Sequence, residues 1–184
     1  RPEMTASIAR AACTRMASRP RPLRLWTSGL VFTSGRSDNG GQRIQERLQS
    51  GVELLGQPGV AADAELMRLL LAASAALGLD PERHQPTLLV GHHGLLEALL
   101  EGVAPSLQRA CRQALTDLDP LTLAALPLGA EQTARLEPAI RLRGEPDIVL
   151  EQLRRALGAH PLLEELKATL AGVAAAAASR GVRL

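Results

Sequence analysis

Two stretches of β-type alternation, Leu23 to Phe32 and Arg47 to Leu55, interrupt a chain whose other periodic segments are helical. Between them Thr33 to Gln42 is rich in Gly, Ser, Asp and Asn and reads as a loop. This is the strongest constraint on the fold. Strands joined by so short a polar segment pair antiparallel, because a parallel pair needs a crossover of a dozen residues or more. The expected order is helix, long β-hairpin, helix, short strand and further helices. That is an α+β arrangement on an antiparallel sheet with flanking helices.

The helical segments follow from spacing and punctuation. Thr5 to Ala17 carries Ile8, Ala12 and Met16 on one face, with Thr5 as its N-cap, and Ser18-Arg19-Pro20-Arg21-Pro22 breaks it. Leu23, Leu25 and Thr27 share one face of the first strand. Ala61 to Leu77 presents Leu66, Leu69, Leu70, Ala73 and Leu77 as an apolar stripe and stops at Gly78. Thr87 to Val90 reads as a short buried strand and Gly94 to Leu100 as a short helix. Leu107 to Leu118, Pro120 to Leu126, Ile148 to Leu157 and Pro161 to Ser179 read as helices. No internal repeat is visible.

Composition narrows the function. A chain of 184 residues is long enough for one domain with a real core. Its 21 basic and 19 acidic residues give a net charge of +2, which by itself argues neither for nor against a nucleic-acid partner. Trp26 and Phe32 are the only aromatic side chains, so base stacking on aromatic platforms is not expected. Cys13 and Cys111 lack CxxC spacing and read as reduced, buried thiols of a cytoplasmic protein. No apolar run approaches the roughly 20 residues of a membrane span. The start at Arg1, in mid-motif and without Met, reads as a piece of a longer chain.

Four residues suit a small zwitterion. Glu3 and Thr5 lie two apart, so an extended segment would place both side chains on one face. Gln49 and Glu53 share a face of the second strand. Two carboxylates can hold an ammonium or imidazolium group, while a hydroxyl and an amide orient it. The competing reading makes Glu3 and Thr5 a helix start and gives Glu53 a basic partner, Arg10 or Arg24. His92-His93 invites a metal reading, but adjacent strand residues face opposite ways and no carboxylate or Cys lies at ligand spacing, so no metal is expected. Arg15, Arg19, Arg21 and Arg24 read as a solvated basic face, and Asp63 and Glu65 as charges serving a helix start. No Ser/His/Asp order, P-loop or dinucleotide fingerprint is present.

Several motifs carry a resemblance: Arg1-Pro2-Glu3-Met4-Thr5, Ile8-Ala9-Arg10, Leu23-Arg24-Leu25-Trp26, Val31-Phe32, Gln49-Ser50-Gly51-Val52-Glu53-Leu54-Leu55-Gly56, Ala62-Asp63-Ala64-Glu65 and Leu88-Leu89-Val90-Gly91-His92. In this order the chain resembles the class II histidyl-tRNA synthetase catalytic domain. It resembles more closely the non-catalytic paralogues of that domain, the ATP phosphoribosyltransferase regulatory subunits. The resemblance implies that residues 1–102 form part of a class II synthetase-like domain and that 103–184 continue it as a helical segment. It assigns Glu3, Thr5, Gln49 and Glu53 to histidine binding, with no catalytic residues, cofactor or metal.

Departures separate the two relatives. In the synthetase, by this resemblance, an Arg follows the strand Phe and holds the α-phosphate of ATP, a Glu comes two residues later, and an adenine-stacking aromatic precedes the Gln by two. Here these positions are Thr33, Gly35 and Arg47. A neutral Thr cannot supply the charge that an Arg offers a developing phosphate, a loss of roughly 10²–10³ in rate for one such contact. The resemblance therefore implies a regulatory chain without catalysis of its own. Its partners would be a short-form catalytic subunit, which joins ATP to phosphoribosyl pyrophosphate in the first step of histidine biosynthesis, and a second copy of itself within a hetero-oligomer. L-Histidine would be the feedback ligand. The alternative is a fragment of a true histidyl-tRNA synthetase.

Overall fold

The computed structural model describes residues 2–36 and 41–184. It divides into two compact units, residues 1–58 and 59–184. This division, drawn by contacts, falls elsewhere than the 1–102 and 103–184 segments drawn by motif.

The first unit is a helix and a hairpin. Helix α1 spans Thr5–Cys13. Strands β1 (Leu23–Arg36) and β2 (Gln42–Leu55) pair antiparallel over 14 residues, from Leu23 opposite Leu55 to Arg36 opposite Gln42. The expected loop is thus shorter than its composition suggested. Thr33 to Arg36 and Gln42 onward join the ladder, because backbone pairing overrides weak local β-propensity; residues 37–40 lie outside the described residues. The register gives the hairpin two faces. Leu23 and Val31 are buried on one, which we call inner, together with half-buried Leu25 and Thr27. The outer face carries Trp26 (78% exposed) opposite Val52 and Leu30 opposite Leu48. Between these apolar pairs Ser50 Oγ donates to Ser28 Oγ (2.9 Å), so the two hydroxyls satisfy each other.

α1 is shorter than its pattern. Thr14 Oγ1 back-bonds to Arg10 O (2.7 Å) and the chain then turns. Arg21, read from sequence as part of a solvated basic face, folds its guanidinium back onto Ala12 O, Met16 O and Arg19 O at 3.2–3.3 Å. Ala12 O at the helix end gains a donor this way, while Met16 O also accepts from Arg19 N (3.1 Å). The stem of Arg21 packs against Gly56, where φ is +86° and an added Cβ would lie 2.9 Å from Arg21 Cβ. Only glycine meets both demands without strain. Cys13, expected to be buried, is exposed; Cys111 is buried.

The second unit is helical: α2 (Val60–Ala76), α3 (Pro81–His84), α4 (His93–Leu99), α5 (Pro105–Asp117), α6 (Pro120–Ala124), α7 (Ala130–Ala139), α8 (Pro146–Leu157) and α9 (Pro161–Ala178). Helices α3, α5, α6, α8 and α9 begin with Pro, whose fixed φ suits the first helical position and whose missing N–H is no loss there. Asp119 caps α6, accepting from the N–H groups of Leu121 and Thr122 (both 3.0 Å). The main core joins α4 to α9 around Leu100, Cys111, Leu136 and Leu163.

Three expectations change here. The α2 stripe facing the core is not the leucine stripe: Leu70 is 54% and Leu77 86% exposed. Ala64 and Leu71 pack instead against Val173 and Ala177 of α9, and Arg68 Nη1 donates to Gly172 O (3.0 Å). Small residues on both helices permit that close approach, and α2 is apolar enough on several sides for either choice. The expected strand Thr87 to Val90 is reduced to a single parallel bridge, Thr87 to Arg183, and Leu89 is 86% exposed. His92 and His93 are not on a strand. His92 caps α4 through Nδ1, which accepts from Leu95 N (3.1 Å), and His93 opens the helix.

An ion pair ties α4 to α5: Arg112 donates to both oxygens of Glu97, Nη2 to Oε2 at 2.7 Å and Nε to Oε1 at 3.0 Å. The hydrogen bond from Arg112 holds the Glu97 carboxyl below its ordinary range. A carboxylate lowered in the folded state adds stability at neutral pH and loses it as pH falls through the carboxylate range. Arg112→Met is therefore expected to shrink the stability difference between pH 7 and pH 3, read as urea midpoints at low salt. An unchanged difference would show that solvent screening has already removed the effect. Gly56→Ala is expected to lower stability by about 1–3 kcal/mol, from the left-handed φ and the collision with Arg21, measured by thermal or urea unfolding.

Candidate functional site

The inner face of the hairpin holds the candidate site. Gln49 lies opposite Gly29 and Glu53 opposite Leu25, so both point to the face that buries Leu23 and Val31. Their shared face follows from the two-residue period of a strand, as the spacing predicted. Gly51, between them, has open space above it, since an added Cβ would meet nothing within 4 Å. The carboxylate of half-buried Glu53 has no hydrogen bond or ion pair among the described residues. Arg24, one suggested partner, is opposite Leu54 and so belongs to the outer face. Gln49 Oε1 is buried and accepts no hydrogen bond among the described residues. A buried acceptor without a donor costs about 1–3 kcal/mol, so a donor arriving with a ligand would recover that cost.

The N-terminal segment sits against the same face, but differently from the expectation. Met4 is buried, and its Cε would lie 3.3 Å from a Cβ placed on Gly29. A side chain at position 29 would displace Met4, so the glycine opposite Gln49 seats the segment. Glu3 and Thr5 do not form an extended pair. Met4 has helical φ and ψ (−104°, −25°), and Thr5 is the exposed first residue of α1 rather than its cap. Glu3 does the capping, accepting from Ala6 N at 3.1 and 3.2 Å. The helix starts one residue too early for Glu3 and Thr5 to share a strand-like face. The structure thus pairs Gln49 with Glu53 on one surface, and sets Glu3 at the start of α1 with its carboxylate engaged.

Farther along the inner face stand the residues that depart from the synthetase pattern. Thr33 is opposite Gln45, Gly35 opposite Arg43 and Val31 opposite Arg47. Arg47 Nη2 donates to Gln45 Oε1 (2.7 Å). A Cβ at Gly35 would meet nothing within 4 Å, so packing does not exclude a side chain there. Sequence reasoning missed the seating of Met4 on Gly29 and the use of Arg21 as a helix-end cap. Glycine at position 29 of a strand was the one available signal, as a mark of close backbone approach. Among the described residues there is no group of three or more His, Cys, Asp or Glu side chains placed to hold a metal. No helix among them is long and apolar enough to cross a membrane.

Such a hairpin, with a half-buried carboxylate and amide beneath an N-terminal helix, is consistent with the class II synthetase-like arrangement. The histidyl-tRNA synthetase family profile matches residues 1–184, and the chain belongs to that family. Within it, the chain is similar to proteins named ATP phosphoribosyltransferase regulatory subunit. One from Synechococcus sp. (strain RCC307) is 51% identical over 184 residues, covering 100% of this chain and 47% of the relative. Another, from Synechococcus sp. (strain CC9902), is 49% identical over 166 residues, covering 90% of this chain and 42% of the relative. A third, from Prochlorococcus marinus (strain MIT 9313), is 45% identical over 184 residues, again 100% and 47%. The chain spans about half the length of these curated relatives. No solved structure matches it.

Gln49→Leu separates a structural amide from a binding one. Removing a buried acceptor that lacks a donor is expected to leave the melting temperature unchanged or raised, while abolishing any stabilisation by added L-histidine. A large fall in melting temperature would mean that the amide serves the fold.

Proposed function

We propose that this chain is part of a regulatory subunit of ATP phosphoribosyltransferase. In this reading it performs no catalysis of its own. It enables a short-form catalytic subunit in the first step of histidine biosynthesis, works in the cytoplasm, and conveys feedback by histidine. The observation that carries the reading is the inner face of the hairpin. There a polar pair suited to an amino acid, Gln49 and Glu53, lies beside Thr33, Gly35 and Arg47. An adenylating relative would need a phosphate-binding cation, a carboxylate and a flat aromatic at those three positions. The naming of the similar chains from Synechococcus and Prochlorococcus supports the same reading.

The physical proposal is modest. Histidine would bind one of two states of the assembly better, and a coupling of about 1–3 kcal/mol between ligand and catalytic subunit gives a useful effect. Glu53 would hold a cationic or N–H group, Gln49 would orient it, and Glu3 and Thr5 would bear on the ligand from the start of α1. Self-association as a dimer within a hetero-oligomer completes the proposal.

The test is reconstitution. The full-length gene product is added to a short-form catalytic subunit from the same genome, and phosphoribosyl-ATP formation is followed with and without histidine. Activity is expected to depend on this chain and to fall with histidine; Glu53→Ala is expected to weaken that inhibition without unfolding the chain. No effect on the catalytic subunit would refute the regulatory reading. It would favour histidine adenylation, the second reading, which the family profile over the whole chain also allows. ATP–pyrophosphate exchange measures that directly. Thr33→Arg alone is expected to give none, because Gly35 and Arg47 also depart.

A further inference from the structure

We infer that Arg47 binds the carboxylate of the amino-acid ligand proposed above, an inference that rests on that reading of the inner face. Arg47, Gln49 and Glu53 lie in order along the same face of β2. Same-face neighbours on a strand stand about 7 Å apart, so Gln49 follows Arg47 directly while Glu53, past Gly51, stands about 13 Å beyond Gln49, and the face presents a cation, then an amide, then a more distant carboxylate. A zwitterionic amino acid with a polar side chain has the matching sequence of charges: a carboxylate at one end, and N–H donors toward the other. Residues opposite the Arg47 end of the row are uncharged, Val31 facing Arg47 and Thr33 facing Gln45. The next inner-face cation on β2, Arg43, is about 13 Å further along the strand. Arg47 is thus the inner-face cation of β2 nearest to Gln49.

The local geometry favours this use. Arg47 is exposed, and its one hydrogen bond among the described residues runs from Nη2 to the neutral Gln45 Oε1 at 2.7 Å. A neutral acceptor steadies the guanidinium without cancelling its charge. A guanidinium has five donors in a planar fork, so most remain for a carboxylate, which it can take bidentately. Two residues away, Gln49 Oε1 is buried and unpartnered, and would accept from an N–H of the same ligand. Resemblance puts an aromatic at this position in the synthetase, so the cation is a feature of this chain. In this account the inner-face cation beside Gln49 on β2 takes the carboxylate of the ligand, while the β1 position that by resemblance holds a nucleotide phosphate in the synthetase is the neutral Thr33.

L-Histidinol provides the test, since it keeps the imidazole and ammonium of histidine but lacks the carboxylate. Binding of both compounds to the full-length protein is measured by calorimetry for the wild type, Arg47→Met and Arg47→Lys. The wild type is expected to prefer histidine. Arg47→Met is expected to weaken histidine about 10- to 100-fold, as for loss of a charged hydrogen bond, and to leave histidinol unchanged. Arg47→Lys is expected to restore part of the loss. Histidine affinity unchanged in Arg47→Met would overturn the inference while leaving the ligand reading intact. An equal loss for both compounds would show Arg47 acting on the fold, and would also overturn it. A wild type that binds neither compound would overturn the ligand reading and this inference together.

Discussion

The antiparallel register of β1 and β2 is the constraint on which the candidate site depends. Fourteen residue pairs fix it, and a slip of one residue would turn every side chain to the opposite face. Gln49 and Glu53 would then leave the surface that buries Leu23 and Val31 and join Trp26 and Leu30. Burial of Leu23 and Val31, the seat of Met4 on Gly29 and the turn at Gly56 all select the same register. The residues that define the fold of this unit therefore also aim its polar pair.

The outer face shows a second consequence of that register. Trp26, Leu30, Leu48 and Val52 gather there, and the one polar pair among them closes on itself as Ser50 to Ser28. An apolar outer face, beside an inner face that buries Leu23 and Val31, suits burial on both sides. A two-stranded hairpin alone is marginally stable in water, so α1 and its packing through Met4 and Ala12 contribute much of what holds this unit together. The helical unit solves the same problem differently. Helices α4 to α9, four of them started by proline, share one leucine-rich core, and α2 and α9 meet through small side chains.

The proposed site sets Gln49 and Glu53, groups suited to recognition, beside Thr33, Gly35 and Arg47. A half-buried carboxylate and a buried, unpartnered amide oxygen suit a small N–H-rich ligand. Thr33, Gly35 and Arg47 alter what a nucleotide would meet. Gly35 is informative because space for a side chain exists there. A change that packing does not require fits a site whose chemistry has shifted, and the similarity to named regulatory subunits points the same way.

Much of this was legible in the sequence because its signals are local. Alternation gave the two strands, proline gave the starts of α6 and α9 and glycine the end of α2, and the four-residue interval fixed Gln49 and Glu53 on one face before any pairing was known. What needed the tertiary structure was every choice between equivalent local options. Thr33 to Arg36 has weak strand preference and became strand only because a partner lay opposite. α2 is apolar on more than one side, and only the small residues of α9 decided which side was buried. The pair Glu3 and Thr5 depended on where α1 begins, and Arg21 on which carbonyls the turn left open. Periodicity reports how a segment can be buried; the neighbour that buries it, and the side chain brought to each open polar group, depend on contacts between residues distant in the chain.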